Sequence, residues 1–214
     1  MIAIIDYGMG NLKSVYQAIS EVNNALQHKQ EIIITADKAK IDSADKIIFP
    51  GQGAMPDCMQ EIEKLNLKQT IINAAKNKPF LGICLGFQML FTHSQEGNVD
   101  GLNIFAGKVV RFENNDSEKL KIPHMGWNNI RYVNGGCRLF NTIPENTNFY
   151  FVHSYIIQPD DSSIIKGVAD YGVEVPSCIQ SKNIYAFQFH PEKSGAYGLR
   201  LLENFCTLKG ETIC

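Results

Sequence analysis

Ile2 to Ile5 form an unbroken apolar run that is too short for a helix and does not alternate, as in a strand buried on both faces of a parallel sheet. A tight turn, Asp6-Tyr7-Gly8-Met9-Gly10-Asn11, follows it, and then Leu12, Val15, Ile19, Val22 and Leu26 recur at helical spacing. Ile32–Thr35 and residues 46–49 repeat the strand pattern, with no long helix expected between them. After Pro50-Gly51-Gln52-Gly53 the spacing predicts a helix from about Met55, with Ile62 and Leu65 on one face, and another over residues 71–78. Residues 80–83 are apolar again and run into the turn Gly82-Ile83-Cys84-Leu85-Gly86, beyond which the chain reads as helix. Strand, turn and helix in alternation predict βαβ units and a mostly parallel sheet. Ligands in such sheets gather at the carboxyl ends of the strands, so the turns carrying Gly8/Gly10, Gly51/Gly53 and Gly82/Gly86 are expected on one rim.

Past Phe91 the texture changes. Residues 104–112, 127–133, 149–155, 164–169 and 184–189 are strand-like and are separated by clusters of Gly, Asn, Asp and Pro. A closing helix is expected from about Gly198, carrying Leu199, Leu202 and Phe205. No repeat, low-complexity tract or linker interrupts the chain, so the expectation is one α/β domain over residues 1–214.

Composition removes several classes of function. A net charge of −2 provides no electrostatic grip on nucleic acid or on an anionic membrane. The first residues meet Asp6 too soon for a secretory signal and lack a basic segment, and no apolar run approaches the length of a membrane span. The six cysteines (Cys58, Cys84, Cys137, Cys178, Cys206 and Cys214) have neither C-x-x-C spacing nor a small-domain framework, so free thiols in a reducing, cytoplasmic setting are expected. The sequon Asn115-Asp116-Ser117 is without meaning in that setting. Gly8-x-Gly10 after a strand invites a dinucleotide reading, but Lys13 stands where the third glycine belongs, and a close strand–helix turn accounts for it better.

The chemistry concentrates at Cys84. A strand that turns sharply into a helix through Gly-x-Cys-x-Gly has the form of a nucleophile elbow, with cysteine in place of serine. The glycines remove side chains from beside the nucleophile, and a helix N-terminus near sulfur favours thiolate over thiol. A buried inert thiol is the plainer reading of a cysteine, and the flanking glycines after a strand weigh against it. A cysteine nucleophile needs a base and a group that orients the base. His190, in Phe187-Gln188-Phe189-His190-Pro191-Glu192, ends an apolar strand and shares the rim with Cys84 if that strand is parallel, and Glu192 is near enough to hold its tautomer. Acyl chemistry also needs oxyanion donors: the Leu85 N–H of the elbow is one, and the Gln52–Gly53 loop can present others.

In this order an oxyanion loop, Gly-x-Cys-x-Gly-x-Gln and His-Pro-Glu resemble the class I, triad-type glutamine amidotransferases, over essentially the whole chain. The resemblance implies a flavodoxin-like α/β fold with a mostly parallel sheet and additional antiparallel strands. It also implies release of ammonia from glutamine, with Cys84, His190 and Glu192 as the triad. Gln88, one turn after Cys84, matches the residue that helps hold the substrate.

Asp6-Tyr7-Gly8-Met9-Gly10-Asn11, Pro123-His124-Met125-Gly126-Trp127-Asn128 and His153-Ser154-Tyr155 narrow the likeness to the glutaminase subunits of imidazole glycerol phosphate synthases. That resemblance assigns Glu96 to the glutamine amino group and the backbone of Ser154 and Tyr155 to its α-carboxylate region. His124 and His153 become rim or interface residues, with a structural role as the plainer reading. The implied partner is a (β/α)₈-barrel cyclase subunit in a heterodimer. It receives the ammonia and makes imidazole glycerol phosphate and AICAR for histidine biosynthesis, with Asn11, Trp127 and Lys193 as interface candidates. No metal or other cofactor is implied, because the histidines and cysteines lack ligand spacing. A paralogous glutaminase that serves another synthase, such as a sugar-modifying one, would carry almost the same motifs. Gln52 stands where a smaller apolar residue is expected in the oxyanion loop.

Overall fold

The computed structural model describes residues 1–112 and 120–208; the sequon at 115–117 and Cys214 lie outside them. The first part of the chain runs β1 (Ile2–Ile5), α1 (Leu12–Ala25), β2 (Ile32–Thr35), α2 (Lys38–Ser43), β3 (Lys46–Gly51), α3 (Met55–Lys64), α4 (Lys68–Asn77), β4 (Phe80–Cys84) and the single turn α5 (Leu85–Gln88). The second part is largely strand: β5 (Phe91–Ser94), β6 (Val99–Asp100), β7 (Phe105–Arg111), β8 (His124–Tyr132), β9 (Thr147–His153), β10 (Tyr155–Pro159), β11 (Ile165–Asp170), β12 (Glu174–Ser181) and β13 (Ile184–Phe187). The helix α6 (Gly195–Cys206) follows.

A nine-stranded sheet has the order β2-β1-β3-β4-β13-β12-β11-β8-β9, and β10-β7-β5-β6 make a second sheet. From β2 to β13 every pairing is parallel, and from β13 outward every pairing is antiparallel. The fold is thus α/β with a large mixed sheet. The parallel part lies around Cys84, and the antiparallel strands extend its far edge.

The unbroken run Ile2 to Ile5 has a direct physical reading. Ile2 and Ile4 join a core with Val15 and Ile19 of α1 and Leu201 and Phe205 of α6, while Ala3 and Ile5 join another with Met59 and Ile62 of α3 and Ile71 of α4. Successive side chains of a strand point to opposite faces, so a strand covered by helices on both sides must be apolar at every position. Helix α1 starts where the Asn11 side chain accepts from Ser14 N, and α2 starts where Asp37 accepts from the amides of Ala39 and Lys40. These caps satisfy amide groups that have no partner inside the helix.

The structure differs from the sequence reading in several details, and β5 and β6 also went unread. Leu65 is 42% exposed, because α3 ends at Lys64 and the chain leaves helical phase; Leu67 fills the core position instead. The stretch 149–155 is two strands in different sheets, divided at Ser154. β12 went unread because Pro176, Ser177 and Gln180 interrupt its apolar pattern, yet it lies between β11 and β13, with register shifts along its β11 partner. α6 begins at Gly195, three residues before the expected start.

Candidate active site

Cys84 is the last residue of β4, with φ 55° and ψ −107°. A non-glycine residue in this region is strained, and it persists only where its surroundings hold it. Here they do. β4 is locked between β3 and β13, with Gly51 paired to Cys84 and Phe187 to Ile83. A Cβ on Gly86 would lie 1.9 Å from the Phe49 carbonyl oxygen, and one on Gly51 would lie 2.7 Å from Gly86 N. The end of β3 therefore packs backbone to backbone on the elbow, which only glycine at these two positions permits. Because α5 is a single turn, few peptide dipoles align behind the sulfur. Support for a thiolate therefore falls mainly to the groups facing Cys84.

His190 is one such group. β13 runs parallel to β4, so the residues that follow it arrive on the rim that carries Cys84. His190 Nδ1 lies 2.7 Å from Glu192 Oε1, with both side chains buried. The main chain at His190 is fixed by its N–H to the Tyr150 carbonyl and by the Ser194 hydroxyl, which donates to the His190 carbonyl at 2.6 Å. Burial alone would lower the His190 pKa, but the Cys84 sulfur and the Glu192 carboxylate outweigh it and push the value up to about 10. With Nδ1 committed to Glu192, Nε2 is the ring nitrogen left for Cys84; it is buried and makes no formed hydrogen bond. Thiol–imidazole contacts in a cleft commonly tighten only when a ligand is bound.

A cleft of about 640 Å³ opens over the sulfur. It brings together Cys84, Leu85, Gln88, Gln52, Gly53, Glu96, Ser154, Tyr155, His190 and Lys193, drawn from five separate stretches of chain. Glu192 sits behind His190 and, with Asn11, lines a small adjoining recess. Trp127 lies outside the cleft on β8, 59% exposed, with its ring edge-on to Tyr150. Glu96 has a second contact that its spacing did not suggest: its Oε2 accepts from Met55 N at 2.9 Å and caps α3. The loop at Gln52 is held by the Tyr7 hydroxyl, which donates to the Pro50 carbonyl at 2.9 Å, and by the Cys58 thiol, 3.5 Å from the Gln52 carbonyl. Burial and the neighbouring Cys58 raise the Tyr7 pKa, and burial pushes Cys58 up to about 11, so both remain protonated donors at neutral pH.

Sequence reasoning passed over two participants. Gln188 is fully buried with its amide nitrogen 3.9 Å from Cys84 Sγ, and the Val152 carbonyl lies 3.8 Å from the same sulfur. A signal for Gln188 existed: a polar amide between two phenylalanines, two residues before His190, needs a buried partner. Val152 contributes only its backbone, which leaves no mark in sequence.

The site defines the class. An elbow cysteine, a buried His–Glu pair just beyond the adjacent parallel strand and an open cleft over the sulfur occur together, and the pattern described as Glutamine amidotransferase class-I matches residues 3–208. The chain belongs to the class-I glutamine amidotransferase family. Within it, the chain is 49% identical over 209 residues to the imidazole glycerol phosphate synthase subunit HisH of Dechloromonas aromatica, covering 95% of this chain and 94% of that one. It is 47% identical over 207 residues to the protein of the same name from Neisseria meningitidis serogroup B, covering 95% and 97%. Among solved structures, a glutamine amidotransferase superposes with a TM-score of 0.70 at 13% identity, covering 97% of this chain and all of that one. A glutamine amidotransferase from Thermotoga maritima superposes at 0.59 with 15% identity, covering 96% and 81%. At those identities the structures speak for the fold alone.

Proposed function

We propose that this chain is the glutaminase subunit of an imidazole glycerol phosphate synthase, hydrolysing glutamine and passing the ammonia to a (β/α)₈-barrel cyclase subunit. The observation that carries the chemistry is Cys84 at φ 55° on β4, facing a buried His190–Glu192 pair at the end of the neighbouring parallel strand. The partner rests on the common name of the full-length relatives.

In this reading the Cys84 thiolate attacks the carboxamide carbon of glutamine, and the oxyanion is met by the Leu85 N–H and the amides of Gln52 and Gly53. His190, held protonated by Glu192, gives its proton to the departing ammonia. The neutral imidazole then takes a proton from water as it attacks the thioester carbon, and the C–S bond breaks to restore the Cys84 thiolate and release glutamate. Gln88, Glu96 and the backbone of Ser154 and Tyr155 hold the amino-acid end of the substrate. No metal or other cofactor takes part.

Met125 and Trp127 are exposed apolar side chains on β8, whose partner strand β9 leads into the cleft, and Lys193 lies on the cleft wall. Together with Asn11, Trp127 and Lys193 are the contacts we assign to the barrel subunit. No helix among the described residues is long and apolar enough to cross a membrane. We place the heterodimer in the cytoplasm, with no role in binding nucleic acid or membrane.

The test is glutamate release from glutamine with and without a purified cyclase barrel subunit and its ribulosyl-aminoimidazole nucleotide substrate, with Cys84→Ala in parallel. Strong stimulation that vanishes in Cys84→Ala is expected. Cys84-dependent release indifferent to that barrel would overturn the partner, and no Cys84-dependent release in either condition would overturn the chemistry.

A further inference from the structure

We infer that Gln188 is a catalytic residue beside Cys84, His190 and Glu192: its side-chain amide donates a hydrogen bond to the Cys84 sulfur and stabilises the thiolate. This rests on the proposed role of Cys84 as nucleophile and adds to it the neutral donor that the sulfur needs.

The polarity of the Gln188 amide is settled by a chain of contacts that starts at a main-chain carbonyl. The Tyr155 carbonyl can only accept, and it lies 2.8 Å from His153 Nδ1 and 3.0 Å from the Gln88 amide nitrogen. Gln88 therefore turns its NH₂ end toward Tyr155. The second hydrogen of that NH₂ points to Gln188, 2.9 Å away, so Gln188 must present its carbonyl oxygen there. Its NH₂ end is thereby directed at Cys84 Sγ, at 3.9 Å. Flipping Gln188 would set two NH₂ groups against each other inside the protein and a carbonyl oxygen against the sulfur. Both Gln88 and Gln188 are buried, so water does not offer either amide an easy substitute.

The Val152 carbonyl also meets the sulfur, at 3.8 Å, where it accepts from a thiol and repels a thiolate. Gln188 acts in the other direction, because an N–H donor is attracted more strongly to S⁻ than to S–H. Other groups act on the sulfur as well. His190 with Glu192 behind it faces the sulfur from the end of β13, and Tyr7 and Cys58 from the β1 turn and α3, the latter two neutral at neutral pH. Glu96 and Lys193 line the same cleft. Gln188 is the member of this set that cannot titrate and whose amide donates directly to the sulfur. Its bond to Gln88 also joins the nucleophile to the side chain assigned to the substrate, so a shift of Gln88 on glutamine binding is passed to the sulfur.

The experiment measures the rate of Cys84 carbamidomethylation by iodoacetamide against pH, read by peptide mass spectrometry. The proteins are wild type, Gln188→Met and Gln188→Leu, with thermal melting as the check on folding. The variants fill the volume without a donor. The pH midpoint of alkylation is expected to rise by about one unit in each, an approximately tenfold slower reaction below the midpoint. Glutamine turnover should show a similar fall in kcat, with KM changed by less than about threefold, the pattern of a lost contact to the reacting atom. A midpoint within about 0.2 units of wild type in either folded variant overturns the assignment. Alkylation needs no glutamine. An unmoved midpoint with normal wild-type turnover would therefore refute Gln188 alone, whereas wild-type turnover absent both with and without the barrel subunit would refute the proposed function.

Discussion

Two buried imidazoles in edge contact beside the cleft give the protein a defined weakness toward acid. His124 is 2% exposed, with its ring between Phe151 and Tyr171 at centroid distances of 4.7 and 4.0 Å. His153 Nδ1 donates to the Tyr155 carbonyl, so its Nε2 carries a lone pair and accepts from His124 Nδ1 at 3.0 Å. His124 Nε2 in turn accepts from the Asn128 amide at 3.3 Å, and that same NH₂ donates to the Asp170 carbonyl at 2.8 Å. Every proton position in this chain is occupied while both rings are neutral, and adding one sets N–H against N–H. Burial lowers His124 to about 4. It lowers His153 to about 3, with the charges of His124 and His190 adding to the effect and the bond to Tyr155 opposing it.

The sign follows from these values. An unfolded histidine titrates near 6.5, so as pH falls through that value the unfolded chain takes up protons that the folded chain refuses. Stability is lost from about pH 6.5 downward until His124 itself protonates near 4. The gap between 6.5 and about 4, at about 1.4 kcal/mol per pH unit, comes to roughly 3 kcal/mol for His124. His190 does not offset this. Its folded value of about 10 lies above the unfolded one, so its contribution is complete below about 6.5 and is lost only as pH rises through about 10. The assay is urea denaturation of wild type and His124→Gln between pH 7 and 4.5. The variant keeps an amide donor for His153 and cannot titrate. It should start less stable, and the gap should close on acidification by roughly 1 kcal/mol or more per pH unit near pH 5. A stability difference that stays constant across this range would refute the neutral-relay argument.

Two further outcomes test the geometry of the site. Gly86→Ala puts a methyl group 1.9 Å from the Phe49 carbonyl oxygen, so β3 and the elbow must separate. Glutamine turnover should fall by about a hundredfold or more, since small misplacement at a reacting centre is that costly, and a steady-state assay with near-normal kcat would contradict the backbone-to-backbone packing. Glu192→Gln removes the carboxylate 2.7 Å from His190 Nδ1, so kcat should drop by about two to four orders of magnitude. The basic limb of its pH–rate profile should also move to lower pH, because the charge that helps hold His190 near 10 is gone; a profile of unchanged shape would remove Glu192 from the orienting role.

Much of the fold could be read directly from the chain. A short apolar run without alternation reads as a strand covered on both faces, and Ile2–Ile5 and Phe80–Cys84 are such strands. Gly-x-Cys-x-Gly after a strand allows one tight turn and few others, and Cys84 adopts it. His190 and Glu192 are two residues apart, so their contact is a local matter. These features depend on periodicity and on the volume of single side chains, both of which a sequence states outright.

Other features depend on which parts of the chain meet. That β13 pairs with β4, 104 residues away in sequence, is what brings His190 to the rim of Cys84; the strand pattern of residues 184–187 would read the same beside any neighbour. The place of β12 was hidden because its apolar alternation is broken, and the sheet accommodates this through its partners and a register shift. Glu96 caps α3 across a gap of 41 residues, and Gln188 reaches Cys84 across 104. An amide has no polarity until its neighbours are known. The direction of the Gln188 NH₂ group was decided only when the Tyr155 carbonyl, Gln88 and Gln188 were brought into one line by the folded chain.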